Sequence, residues 1–171
     1  MLRRVLEWLL LPGVAPRHDI PNHGVELDPL ALDARKRLWG RWAAAQALVA
    51  DDEGEQFRGR YADFEVAVDT RAVKGRAQPV VVIADGPSPF VEPVWWKRAA
   101  DGVVLAHGQS PHEGVGVAMR ALFEGTPELV SFRWDSGQTT LRLAPVVDPF
   151  AVNACLDALP DLVRAAADAY R

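Results

Sequence analysis

The chain has 171 residues, with 19 Lys and Arg against 23 Asp and Glu and a formal net charge of −4. That length suits one domain able to bury roughly 70% of its unfolded surface, and the mild acidity excludes nucleic-acid binding by bulk attraction. Its one cysteine, Cys155, excludes an intramolecular disulfide framework, and no apolar run approaches the ~18 residues that span a bilayer.

Leu2, Val5, Leu6, Leu9 and Leu10 recur at helical spacing while Arg3, Arg4 and Glu7 face elsewhere, and Pro12-Gly13 ends this short helix. Glu7 interrupts the apolar run and no small-x-small cleavage site follows, so the segment does not read as a secretory signal and a cytoplasmic location is expected. Residues 12–27 hold three prolines, two glycines and two histidines, the composition of an extended connector. Residues 1–27 are therefore expected to form an arm, and residues 28–171 a single domain.

Asp28-Pro29 starts a helix, with Asp as N-cap and Pro at the first helical position. Ala31, Ala34, Leu38, Trp42, Ala45 and Val49 step by three and four and predict its apolar face. From residue 57 the period changes. Phe64, Val66 and Val68 alternate with polar residues, as in a half-buried strand. Phe57, Gly59 and Tyr61 alternate in the opposite phase, which predicts a bulge or bend near Ala62. Residues 70–77 read as a basic loop, and residues 79–84, apolar on both faces, as a central strand. Two hairpins follow, one joined through residues 99–102 and one turned by Asp135-Ser136-Gly137. A helix carrying Val115, Ala118, Met119 and Leu122 separates them. Asp148-Pro149 starts the last helix, whose stripe is Val152, Leu156, Leu159, Val163, Ala166 and Tyr170. Pro160 lies off that stripe and is expected to kink or divide the helix. Cys155, beside the stripe, reads as a small hydrophobe.

Reactive side chains concentrate between Asp101 and Glu113. Acyl transfer there would use His107 or His112 as base and Ser110 as nucleophile. Ser110 and Glu113 also have capping-box spacing, with Pro111 at the first helical position, and helix initiation accounts for them without a reaction. The imidazoles of His107 and His112 lack the one-helix spacing of metal ligands, and His18 and His23 flank Asp19 in the connector, so no metal and no cofactor are expected. Gly114-Val115-Gly116 fails the dinucleotide fingerprint, because its last position is Met119. Arg58, Arg60, Arg71, Lys74 and Arg76 are balanced by a net acidic chain and read as solvent-facing charge, so no nucleic acid is expected as a partner.

Trp95-Trp96-Lys97-Arg98 is the candidate binding segment. On a strand the two rings point to opposite faces. One is expected to be buried. The other, on the face of Glu92 and Val94, is expected to decide whether a contact surface exists beside Lys97 and Arg98.

These elements predict an α+β fold, an antiparallel sheet of five to six strands packed by helices in the order α-α-β-β-β(-β)-α-β-β-α. Over residues 28–171 the order helix, three or four strands, helix, two strands, helix resembles the secretion-chaperone-like fold. That resemblance implies dimerisation and binding of other polypeptides. The expected function is a non-enzymatic interaction or accessory module with a protein partner or a second copy. The alternative is a small-molecule-binding protein or hydrolase-type enzyme using the segment from Asp101 to Glu113.

Overall fold

Both Asp-Pro steps start helices by the expected chemistry. The Asp28 carboxylate accepts from the Ala31 amide at 2.8 Å, and that of Asp148 accepts from the Phe150 amide at 2.9 Å. The computed structural model describes residues 23–86, 93–99, 102–107 and 113–169. The arm helix over residues 1–11, with Trp8, His18 and Asp19, lies outside them, as do Asp101, Ser110, His112 and Tyr170.

In chain order the elements are β1 (Val25–Glu26), α1 (Pro29–Ala45), β2 (Val49–Ala50), β3 (Gln56–Tyr61), β4 (Phe64–Asp69), β5 (Ala72–Val73) and β6 (Arg76–Ala77). They continue as β7 (Val80–Asp85), β8 (Val94–Ala99), β9 (Gly102–His107), α2 (Glu113–Gly125), β10 (Leu129–Asp135), β11 (Gln138–Leu143) and α3 (Pro149–Ala169). The fold is α+β and its strand pairings are antiparallel. Among the described residues the main sheet has eight strands in the order β2-β3-β4-β7-β11-β10-β8-β9, beside a small sheet β1-β6-β5.

The main sheet exceeds five to six strands for two local reasons: Val49, expected on the first helix, pairs with β3 as part of β2, and the next segment is a hairpin. Residues 56–69 are not one bulged strand. The chain reverses at Ala62, whose φ is 51°, and pairs Tyr61 with Phe64 and Phe57 with Val68. A hairpin turns the two opposite sequence phases into one shared face, so no bulge is needed. The basic stretch expected as a loop folds into β5 and β6, turned by Lys74 at φ 53° and Gly75 at φ 77°.

The three described helices share one core with one face of the sheet. Trp39 and Trp42 of α1, Met119 and Phe123 of α2, and Leu156 and Leu159 of α3 join Phe57, Val82, Trp96, Phe132 and Leu141 of the strands. Trp39 and Trp42 meet edge to face at 5.3 Å, and Trp42 Nε1 donates to Asn153 Oδ1 at 2.9 Å, joining α1 to α3.

The apolar stripe expected for α1 is rotated. Its buried residues are Ala31, Arg35, Trp39, Trp42 and Ala43, while Val49 belongs to β2 and is 73% exposed. A guanidinium makes the difference. Arg35 donates through Nη1 to the Thr70 carbonyl and through Nη2 to that of Pro145 at 3.2 Å. Those bonds offset the cost of burying it. Burial pulls its pKa down to about 10, so it stays charged at neutral pH. The helix α3 runs unbroken through Pro160, although the Leu156 carbonyl loses its usual donor there.

Candidate functional site

Alternation sends every second side chain of a strand to the side of the sheet away from the helices. On that side the residues are exposed or half-buried: Arg58 and Arg60 on β3, Glu65 and Ala67 on β4, Val81 and Ile83 on β7, Trp95 and Lys97 on β8. The same phase carries Ser131 and Arg133 on β10 and Thr140 and Arg142 on β11. Register then decides which of them meet. Trp95 lies opposite Arg133, Arg133 opposite Thr140, Thr140 opposite Ile83, Ile83 opposite Ala67, and Ala67 opposite Arg58. A second row runs Lys97, Ser131, Arg142, Val81, Asp69. A third runs Asp135, Gln138, Asp85, Glu65, Arg60.

The open face is thus polar along its rims and aliphatic at its centre. Lys97, Arg133 and Arg142 gather where β8, β10 and β11 adjoin, while Asp135, Asp85 and Glu65 fall in the row nearest the β10–β11 turn. Arg133 Nη2 reaches Asp135 Oδ2 at 2.6 Å, and this bond, with one from Ser136 Oγ, holds the Asp135 carboxyl below its ordinary range. Gln138 Nε2 donates to Asp85 Oδ1 at 2.9 Å. Arg133, Asp135, Ser136, Gln138 and Thr140 line a shallow polar hollow at this end.

The four residues of the candidate binding segment part ways. Trp96 is 3% exposed and meets Phe132 edge to face at 5.8 Å, inside the core. Its neighbour Val94 is buried with it. The half-buried ring beside Lys97 is therefore Trp95, and the face of Val94, expected to carry the deciding ring, is the core face. Lys97 is exposed on the open side. Arg98 turns the other way and closes the C-terminal end of α2. Its Nε donates to the Leu129 carbonyl at 2.9 Å, and its Nη2 to those of Thr126, at 2.9 Å, and Phe123. Its guanidinium also lies 5.4 Å from the Phe123 ring centroid.

Of the alternative catalytic segment, Asp101, Ser110 and His112 lie outside the described residues. His107 ends β9 at the register position opposite Trp95, and Glu113 opens α2. Cys155 is buried, and burial pushes its thiol up to about 12, which removes it as a nucleophile at neutral pH. Among the described residues no three His, Cys, Asp or Glu side chains converge to hold a metal, and no helix is long and apolar enough to cross a membrane.

Reading the segment 95–98 alone misses Arg133, Thr140, Ile83 and Arg58. Each occupies the polar or outward phase of its own strand, which is a local signal, but the order of strands that joins them is not local.

The fold is similar to the crystal structure of the mycobacterial trehalose monomycolate transport factor A, TtfA. The two share 9% sequence identity at a TM-score of 0.53, over 76% of this chain and 94% of that one. The likeness is one of fold. No family model and no curated protein matches the chain.

Proposed function

We propose that this chain is a non-enzymatic accessory module, chaperone-like in that it holds another polypeptide against the open face of its sheet. The observation that carries this reading is the row from Trp95 through Arg133, Thr140, Ile83 and Ala67 to Arg58, on the side of the sheet away from the helices. A half-buried indole and aliphatic groups supply contact area, and the cations beside them supply orientation. A matching segment carries apolar residues over Ile83 and Val81 and a carboxylate toward Lys97, Arg133 and Arg142. The fold shared with a transport factor supports an accessory role.

A photo-crosslinking residue at Thr140, incorporated in cells that naturally make the protein, tests the face directly. The expected result is an adduct with a discrete polypeptide, absent when the probe sits at exposed Glu124 of α2. Lys97→Glu with Arg133→Glu is expected to abolish that adduct while the chain still melts cooperatively, its midpoint lowered only by loss of the exposed Arg133–Asp135 pair. Equal labelling from both positions, or an adduct insensitive to charge reversal, counts against this surface.

A further inference from the structure

We propose that residues 1–11 of this same chain fold back as a helix onto the open face of the sheet and cover it until a partner displaces them.

The face is polar along its strands. Lys97 and Arg142 stand in one row, and Asp135, Asp85 and Glu65 stand in the row four residues away. At the rise of a strand the two rows are about 13 Å apart. Between them Thr140, Ile83 and Ala67 lie side by side on β11, β7 and β4, with Val81 next to them. That floor is about 10 Å wide, and its residues are half-buried. One helix aligned with the strands, roughly 10 Å across, fills it. Trp95, on β8, stays at its edge.

The segment has matching dimensions. Leu2, Val5, Leu6, Leu9 and Leu10 form one helical stripe. A helix over residues 1–11 is about 16 Å long, enough to run from one charged row to the other.

Charge and connectivity then give the same direction. Arg3 and Arg4 lie at the start of the segment, where the helix dipole is also positive, and they belong against Asp135, Asp85 and Glu65. The negative C-terminal end belongs against Lys97 and Arg142. The chain joins the domain at β1, where Val25 pairs with Ala77, and β7 starts shortly afterwards at Val80. A Cβ on Gly24 would meet the Gln78 side chain at 2.7 Å, so the incoming chain is pressed against that end of β7. This is the end of the strands that carries Lys97 and Arg142, and the shortest return places the C-terminal end of the helix there. Residues 12–22 reach up to about 35 Å when extended, which closes the link with chain to spare.

The regulatory consequence rests on the reading of this face as a polypeptide site, whereas the contact itself does not. A tethered segment competes at an effective concentration on the order of millimolar. Weakly bound polypeptides are therefore kept off, and a segment that matches the charged rows more tightly displaces the arm.

The test is photo-crosslinking of the purified full-length protein from a probe at Thr140, with the linked peptides found by mass spectrometry. The expected result is a link to residues 1–11 within one chain, at a yield independent of protein concentration. Leu6→Glu with Leu9→Glu is expected to abolish that link. In cells the same two substitutions are expected to raise the partner adduct at Thr140 roughly tenfold, the gain from freeing a face covered about nine-tenths of the time. Should the probe at Thr140 perturb the sheet, a probe at exposed Arg142 repeats the measurement. No link, a link to another part of the chain, or a link between two chains that grows with concentration overturns the proposal. A link to residues 1–11 that survives Leu6→Glu with Leu9→Glu also overturns it, and a partner adduct left unchanged by those substitutions overturns the regulatory role. An internal link with no partner adduct in cells keeps the cover and refutes the polypeptide site. A partner adduct with no internal link does the reverse.

Discussion

At the scale of single residues, adjacency in sequence means separation in space. Trp95 and Trp96 sit on opposite faces because strand side chains alternate, and their replacement by Ala should differ accordingly. Trp96→Ala empties a site against Phe132 and should cost about 3–5 kcal/mol in denaturant melts. Trp95→Ala should cost roughly 1 kcal/mol, since its ring is only half-buried, and should weaken partner binding more than folding. Acrylamide should quench the remaining fluorescence more in Trp96→Ala than in Trp95→Ala under native conditions, because the first variant keeps the more accessible ring. Equal costs for the two would mean that the open face is covered. Arg35 teaches the complementary lesson. A cation at a buried helical position breaks the apolar stripe, yet it holds α1 to the carbonyls of Thr70 and Pro145, two residues far from it in sequence.

At the scale of elements, helix ends show how strands and helices are tied. The carbonyls at the C-terminal end of α2 are met by Arg98 of β8 rather than by a residue of the helix itself. A guanidinium there satisfies orphan acceptors and opposes the negative end of the helix dipole. Arg98→Met keeps much of the apolar stem and removes all three bonds, so it should cost about 2–4 kcal/mol. Amide exchange should accelerate first at residues 122–126, ahead of α3. Exchange that rises evenly across the molecule would show that Arg98 contributes only general packing. The β3–β4 hairpin makes a related point, because Phe57 and Phe64 fall in opposite sequence phases and still share the core face.

At the scale of the whole molecule, Cys155 and Tyr61 make stability fall at alkaline pH. Burial pushes the Cys155 thiol from 9.0 to about 12. Burial also raises the Tyr61 hydroxyl from 10.0 to about 12, helped by its 2.6 Å bond to Asp157 of α3. Both folded values lie above the unfolded ones, so the unfolded chain loses these protons first. Their stabilisation is complete below about pH 9 and disappears as pH rises toward 12. The slope from a single buried group reaches at most about 1.4 kcal/mol per pH unit. Urea midpoints should fall from pH 9 to 11, and Cys155→Ala should flatten that fall. The native thiol should also resist thiol reagents at pH 8 and react once the chain unfolds. Rapid native labelling would show that the thiol is reachable.

Sequence alone determined what depends on near neighbours. The Asp28 and Asp148 caps, the Ser136-Gly137 turn, the α+β class and the inward phase of most strands follow from chemistry within a few residues. Tertiary structure decided what depends on strand order. β8 pairs with β10 across more than thirty positions of chain, and that pairing sets Trp95 against Arg133. Among the described residues the same order leaves β9, which carries no Lys, Arg, Asp or Glu, at the end of the sheet. Periodicity reports which face a side chain takes, because alternation is a property of one strand. It is silent on which strand lies alongside, because that choice is made by the packing of the whole sheet against its helices.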